Sequence, residues 1–136
     1  MFRPSQTPHG ERIMSFTPDN FTVWTEIPVT DLERGMAFYG KVFQTSLKKI
    51  DCEENEFAMF PTESETGIAG HLYPGKPAPK GTGPTIHLAS PDKVEDALER
   101  VKGAGGTVVS DVISIPAGRF AYCLDPDGNS IGVFSK

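Results

Sequence analysis

Three side chains that can transfer protons or bind a metal lie in segments with a strand pattern. Glu26 lies in FTVWTEIPV, residues 21 to 29, whereas His71 lies in GIAGHLY and His87 in TIHLA. A carboxylate and two imidazoles can act as general acids and bases, and they are also ligands of divalent metals. Which chemistry they perform depends on whether the fold brings them together.

Alternation along the strands assigns two of these side chains to a face. In the first strand Trp24 and Glu26 share the face opposite Ile27, and in TIHLA the side chain of His87 lies opposite that of Ile86. The apolar faces are expected to pack on helices. Trp24, Glu26 and His87 are therefore expected on the other side of the strands.

Glycines interrupt two of the strands. Gly132 stands inside NSIGVFS, between Ser130 and Phe134 on the same face. A glycine in a strand interior often marks a bulge or the close approach of a ligand or another chain segment. Gly70 precedes His71 and leaves the direction of that imidazole open.

The segments that position these residues follow one order, β-α-β-β-β, twice along the chain. In each half a strand leads into a helix with one apolar face, and three more strands follow. The predicted strands are residues 21–29, 45–50, 56–61, 67–73, 85–89, 107–113, 118–124 and 129–135. A repeat of this size constrains the whole fold.

Capping residues predict where the two helices begin. Thr30 is expected to cap the first helix, with Glu33 at its third position, and Ser90 to cap the second, with Pro91 at its first position. The glycines of GAGG, residues 103 to 106, are expected to end the second helix.

The repeat also divides the chain. Residues 1–20 are expected to form an N-terminal tail, 21–73 the first module, 74–83 a linker rich in Pro and Gly, and 84–136 the second module. The two modules together are expected to form one domain. Met14 is an alternative translational start, and the N-terminus lacks the apolar stretch of a signal peptide.

Composition excludes several classes of protein. The formal net charge of −5 argues against a nucleic-acid partner. The sequence contains no run of about 18 apolar residues, which a membrane-spanning helix would need. Cys52 and Cys123 lack metal-type spacing, and a disulfide between them is not favoured. These features predict a reduced, cytoplasmic protein.

Three segments together resemble the vicinal oxygen chelate superfamily, which includes glyoxalase I, extradiol dioxygenases and bleomycin-resistance proteins. They are IPVTDLERGMAFYGKVF, RVKGAGGTVV and LDPDGNSIGVFS, in the same order as in the family. The resemblance implies an α+β fold in which two βαβββ modules form a curved mixed sheet around a cavity, with the helices on its outer face. In the family's enzymes a divalent metal in this cavity chelates neighbouring oxygens of the substrate.

The metal positions of the family do not carry metal ligands here. Glyoxalase-type members commonly have a ligand seven residues before the Asp that opens the helix, which is Trp24 if counted from Asp31. A second ligand, a glutamate on the last strand, corresponds to Gly132. Neither side chain can bind a metal, so no metal or other cofactor is expected. The alternative is a divalent metal at a relocated site made by Glu26, His71 and His87.

The same cavity suggests roles for the remaining residues. Glu26 and His87 are expected at related cavity positions, with Glu26 as general base and His87 polarising or protonating a bound carbonyl. A purely structural alternative is that these two side chains hydrogen-bond to each other. The residues expected to contact the substrate are Trp24, His71, Gly132 and Phe134, with the Trp24 indole beside the space left by Gly132.

Two functions follow from the resemblance. The first is a glyoxalase-like enzyme or enzyme relative, a lyase or dioxygenase-like protein if active, that has lost the usual metal ligands. The alternative is a non-catalytic protein of the antibiotic-resistance type that sequesters a hydrophobic or aromatic small molecule. In both cases the expected partners are a small-molecule ligand and a second copy of the chain in a homodimer.

Overall fold

A computed structural model describes residues 15–52 and 55–136, except for the side chain of Cys52. It contains two helices, α1 (Leu32–Phe43) and α2 (Val94–Gly103). The strands are β1 (Glu26–Val29), β2 (Lys48–Cys52), β3 (Asn55–Met59), β4 (His71–Pro74), β5 (Ile86–Ala89), β6 (Thr107–Val108), β7 (Ile113–Ile115), β8 (Gly118–Leu124) and β9 (Ser130–Ser135). The start proposed at Met14 and most of the expected tail lie outside the described residues.

The strands form two mixed sheets with matching topology. The first has the order β1-β4-β3-β2, and the second has the order β5-β9-β8-β6, with β7 also paired to β8. In each sheet the first and last strands of the repeat are parallel neighbours, β1 with β4 and β5 with β9. The predicted α+β fold is therefore confirmed.

Several predicted strands were too long. β1 begins at Glu26 rather than at residue 21, and the strand predicted over 107–113 is two short strands, β6 and β7. The prediction of 118–124 matches β8. A β pattern in the sequence reports which side chains alternate, whereas a strand also needs a neighbouring chain for its backbone hydrogen bonds.

The N-cap of helix α1 lies one residue later than the predicted N-cap, Thr30. The N-cap is Asp31, whose carboxylate accepts a hydrogen bond from the Arg34 N–H at 3.1 Å. Thr30 was the wrong cap because its hydroxyl donates instead to Asp127 of the other module, at 2.6 Å. Gly35 lets the helix lie close on its sheet, since a β-carbon there would be 3.1 Å from Val29 Cγ1.

Helix α2 also begins later than predicted. Its N-cap is Lys93, which makes no capping hydrogen bond through its side chain. Ser90 was the wrong cap because its hydroxyl is used in a local turn, where it donates to the Asp92 carbonyl at 2.8 Å. Glu95 and Asp96 in the first turn complement the positive end of the helix dipole.

Both modules contribute to one hydrophobic core. Buried side chains of α1 and β4, including Tyr39 and Leu72, belong to the same cluster as Val101 of α2 and Val133 of β9. The helices also contact each other directly, since the Arg100 guanidinium donates to the Val42 carbonyl at 2.8 Å. Each sheet therefore has a face toward this core and an opposite face.

The turn between β8 and β9 connects the second module to the first. Asp125, 3% exposed, accepts a hydrogen bond from the Tyr39 hydroxyl at 2.7 Å. Asp127 forms an ion pair with Arg34 of α1 at 2.6 Å. Asn129 donates from its amide to the Pro28 carbonyl of β1 at 2.8 Å. These bonds fix the two modules relative to each other.

The segment between the modules follows the same turn. No helix or strand lies between β4 and β5, all of whose connecting residues are described. The Gly81 N–H donates to the Gly128 carbonyl at 3.0 Å, so the connection runs over the β8–β9 turn. Within the described ranges, neither helix has the length and apolar character needed to cross a membrane.

Candidate functional site

The first module carries a cluster of aromatic side chains around His71, on the face of its sheet opposite α1. The Trp24 indole N–H donates to His71 Nδ1 at 2.9 Å. The rings of Phe57 and Tyr73 lie 4.9 Å and 6.1 Å from the imidazole, measured between centroids. We call Trp24, Glu26, Phe57, His71 and Tyr73 the His71 cluster. Strand pairing builds it, because Glu26 and Met59 are the register partners of His71.

The hydrogen bond from Trp24 determines the tautomer of a neutral His71. Since Nδ1 accepts that bond, the proton of the neutral imidazole lies on Nε2. Nε2 faces Glu26, whose carboxylate oxygen is 3.9 Å away. The Glu26 side chain is 64% exposed and can therefore reach a ligand from solvent.

The second module carries a corresponding cluster around His87. Its imidazole is edge-on to Phe120, with 5.0 Å between centroids, and lies 5.9 Å from Tyr122 and 6.3 Å from Phe134. Gly132 is the register partner of His87 on β9, and a β-carbon at Gly132 would overlap the imidazole. We call these five residues the His87 cluster.

Gly132 therefore makes room for a different side chain from the one expected. The sequence predicted the Trp24 indole beside Gly132, and the structure corrects this: His87 lies over Gly132, and Trp24 contacts His71. The cause is the parallel pairing of β5 with β9, which places His87 directly beside the glycine.

The two residues expected to act together, Glu26 and His87, line different cavities. A cleft of about 570 Å³, which we call the face cleft, is lined by Glu26, Asn55, Glu56, Phe57, His71, Tyr73 and Pro74. A second cleft of about 530 Å³, which we call the edge cleft, lies between the modules and is lined by Thr22, Thr25, Phe43, Thr45, Phe60, Pro61, Thr62, Ile68, Ala69, Gly70, Ile86, His87, Leu88 and Ala89. Within the described residues, the basic side chain that approaches the Glu26 carboxylate is His71, with Nε2 at 3.9 Å.

The side chains do not fit the family's metal. Within residues 15–52 and 55–136, no three His, Cys, Asp or Glu side chains are arranged to hold a metal ion. Glu26 and His71 are close, but His71 Nδ1 is already hydrogen-bonded to the indole and Nε2 carries the proton. Gly132 offers no donor. A metal needs three or four lone pairs converging on one point, and these clusters do not supply them.

Of the aromatic residues that surround the two histidines, the sequence interpretation predicted Trp24 and Phe134 as ligand contacts and missed the others. Phe57, Tyr73, Phe120 and Tyr122 all contact an imidazole. Their signal was available: Tyr73 is two residues from His71, and Phe120 and Tyr122 alternate on one strand. Aromatic residues at alternate positions of adjacent strands form one surface.

The opposite face of β8 holds the residues that the site does not use. Arg119 pairs with Glu95 of α2 through both guanidinium nitrogens, and this pairing lowers the pKa of Glu95 to about 2. Cys123 is a buried free thiol, and burial raises its pKa to about 11. A thiol in this state is protonated at neutral pH and is not a nucleophile.

Comparison with solved structures shows the same fold. The fosfomycin resistance protein FosX from Mesorhizobium loti is 20% identical, with a TM-score of 0.58 over 88% of this chain and 94% of that one. A glyoxalase/bleomycin resistance protein from Albidiferax ferrireducens T118 is 20% identical, with a TM-score of 0.59 over 86% and 99%. A glyoxalase/bleomycin resistance protein/dioxygenase family enzyme from Burkholderia phytofirmans PsJN is 16% identical, with a TM-score of 0.61 over 83% and 96%.

The family itself follows from the sequence match. A search of curated proteins gives no match. The model of the Glyoxalase/Bleomycin resistance protein/Dioxygenase superfamily matches residues 21–133, which is most of the chain and includes both modules. With the paired βαβββ order and the two histidine clusters in place, the chain belongs to the glyoxalase/bleomycin resistance protein/dioxygenase superfamily.

Proposed function

We propose that this protein binds an aromatic or hydrophobic small molecule in the face cleft, without a metal. The observation that carries the proposal is the hydrogen bond from the Trp24 indole to His71 Nδ1. It engages the lone pair of the Nε2–H tautomer of His71, so a metal would have to displace the indole or the Nε2 proton, and it makes the indole and the imidazole parts of one aromatic wall.

The face cleft has the shape and the composition that such a ligand needs. Its volume of about 570 Å³ is within the usual range of about 300–1,000 Å³ for small-molecule sites. Phe57 and Tyr73 provide ring surfaces on which a planar molecule can stack, and Trp24, which is 40% exposed, contacts His71 of the same cleft. Glu26, Asn55 and Glu56 line the same cleft and provide its polar contacts.

The experiment uses Trp24, the only tryptophan of the chain, as its reporter. We expect 1-naphthol to change the fluorescence of Trp24 in a saturable way, and the His71→Phe variant to weaken binding while the melting temperature stays close to that of the parent. A titration with Zn²⁺, Ni²⁺ and Mn²⁺ serves as the matched comparison. Stoichiometric metal binding that His71→Phe abolishes would contradict the proposal, as would the absence of any fluorescence change with aromatic probes.

A second candidate function is a metal-free, glyoxalase-like enzyme. It is favoured by the 3.9 Å separation between the Glu26 carboxylate and His71 Nε2, where the imidazole carries its proton. Glu26 would accept a proton from a bound substrate and His71 would donate one to a carbonyl oxygen. His71 replaces His87 in this role, because His87 lines the other cleft. The Glu26→Gln variant distinguishes the two functions: it abolishes turnover by an enzyme and leaves the affinity of a binding protein within a few-fold.

We further propose a homodimer in a reducing compartment such as the cytoplasm. Ile113 and Ile115 of β7 are exposed and extend the apolar surface of the His87 cluster, because Ile113 is the register partner of Phe120. An uncovered apolar surface of this kind favours association of a second copy. The free thiol of Cys123 is compatible with a reducing environment. Sedimentation of the parent and of an Ile113→Asp variant tests the dimer.

A further inference from the structure

The strand β5 leaves one of its edges without a partner strand in the described structure. It pairs with β9 on one side only. The Ser90 N–H donates to the Phe134 carbonyl at 2.7 Å, so the backbone groups of Ser90 point toward β9. Along a strand, the N–H and C=O of successive residues point alternately to the two sides. Those of His87 and Ala89 therefore point away from β9, and no hydrogen bond within the described residues uses them.

This free edge faces the edge cleft. All four residues of β5, Ile86 to Ala89, line the cleft, and its opposite wall includes Thr25, Phe60 and Ile68 of the first module. The wall is apolar apart from threonine hydroxyls and the histidine. No Asp, Glu, Lys or Arg of the described residues lines it.

The corresponding edge of the first module is blocked at Pro28, one of its two outward positions. The Thr25 carbonyl accepts a hydrogen bond from the N–H of His71, and the Val29 carbonyl accepts one from the N–H of Gly75. The backbone groups of Thr25 and Val29 therefore point toward β4. Pro28 therefore points outward, where it has no N–H to leave unpaired. Its carbonyl accepts the amide of Asn129 at 2.8 Å. Ala89, at the last outward position of β5, keeps both backbone groups available.

We propose that the edge cleft is a second binding site, for a neutral and largely apolar small molecule that carries an amide or carbonyl group. The polar group pairs with the outward N–H and C=O of His87 and Ala89, as an added strand would. The apolar part occupies the space between β5 and the first module, whose volume of about 530 Å³ suits a small molecule. A charged ligand is disfavoured, because this cleft holds no ionic partner to offset its desolvation.

The site is independent of the proposed function. The face cleft and the edge cleft have no lining residue in common. Binding at the face cleft is reported by Trp24 and weakened by His71→Phe, whereas binding at the edge cleft depends on the backbone of β5. Either can therefore fail without the other.

The experiment is an NMR titration of the full ¹⁵N-labelled chain with acetanilide, a neutral aromatic amide. Phenylacetate, of similar size but negatively charged, is the matched comparison. We expect acetanilide to move the amide signals of His87 and Ala89 downfield with a Kd of about 1 mM, typical of a fragment of this size, and phenylacetate to leave them unchanged. The His71→Phe variant should give the same titration as the parent.

Two variants test the contact itself. Ala89→Pro removes the outward N–H of Ala89, as Pro28 does at the corresponding edge of the first module. We therefore expect acetanilide binding to weaken at least about tenfold. Ile68→Asp introduces a charge at a cleft residue that is 44% exposed, and it should weaken acetanilide binding even if Ala89→Pro fails to fold. Shifts confined to Glu26, Phe57 and Tyr73, equal binding of phenylacetate, or no shift at all would each overturn the proposal.

Discussion

The imidazole of His87 lies across the α-carbon of Gly132, its register partner on the neighbouring strand β9. No residue with a side chain fits at position 132 unless the imidazole moves. The edge-on contact with Phe120 and the contacts with Tyr122 and Phe134 depend on that position of the ring.

Adding one methyl group at this position should therefore displace His87. We expect Gly132→Ala to lower the free energy of unfolding by about 1–3 kcal/mol, the usual cost of overpacking, as measured by urea denaturation. In the His87→Ala background the same substitution should cost much less, because the overlapping ring is absent. Equal costs in the two backgrounds would mean that His87 does not hold this position.

The buried hydroxyl of Tyr39 should make the protein sensitive to alkali. Burial, and then the negative charge of Asp125, raise the pKa of Tyr39 well above its usual value of 10. A group with a raised pKa in the folded state contributes stability that is complete below the unfolded pKa and is lost as the pH rises above it. We expect the free energy of unfolding to fall above about pH 10, and less so in Tyr39→Phe.

The same variant has a measurable cost at neutral pH. Tyr39→Phe removes a hydrogen bond of 2.7 Å to a buried carboxylate, which should cost about 1.5–3 kcal/mol. The amide of Asn129 still donates to the same carboxylate oxygen, so Asp125→Ala should be worse than Tyr39→Phe. A variant as stable as the parent would show that the hydroxyl contributes nothing to the junction of the modules.

The ion pair between Glu95 and Arg119 should be lost in acid, when the Glu95 carboxylate is protonated. The hydrogen bonds from the guanidinium hold the pKa of Glu95 at about 2, below its usual value of 4.5. A group with a lowered pKa contributes stability above the unfolded pKa, and this contribution disappears as the pH falls from about 4.5 to about 2. In a ¹³C NMR titration the Glu95 carboxyl should have its midpoint near 2, and near its usual value in Arg119→Gln. An unchanged midpoint in that variant would contradict this assignment.

Cys123 should resist thiol reagents in the folded protein. The thiol is buried and its pKa is raised to about 11, so very little thiolate exists at pH 8. We expect labelling of Cys123 by iodoacetamide, located by mass spectrometry, to be slow under native conditions and fast in urea. Rapid native labelling would show that the strand β8 opens readily.

Sequence reasoning predicted the repeat, the α+β class and the family because these depend on patterns spread over many residues. The alternation that placed Ile27 toward the helices is an example, since one face of β1 is buried and the other is not. The structure shows the same alternation in β8, where Arg119 pairs with Glu95 of helix α2 on one face and Tyr122 contacts His87 on the other.

The partners of single side chains could not be predicted in this way. Glu26 meets His71 rather than His87, because β1 pairs with β4 inside one module, and a pairing between distant segments leaves no local mark on the sequence. Thr30 fits a capping motif as well as Asp31 does, but a contact with Asp127, almost a hundred residues away, decides which of them caps the helix. A capping motif in the sequence identifies the candidate N-cap residues, and contacts with distant segments determine which of them caps the helix.

The turn from Asp125 to Asn129 forms hydrogen bonds and an ion pair with α1 and β1 of the other repeat. The buried side chains of both repeats also form a single cluster. Neither repeat therefore has a hydrophobic core of its own. Although the two halves have matching topology, they depend on each other, and a half separated at the connection between β4 and β5 would expose the surface that the other half covers. The two halves therefore match in topology, whereas we expect cooperative unfolding to be a property of the whole chain.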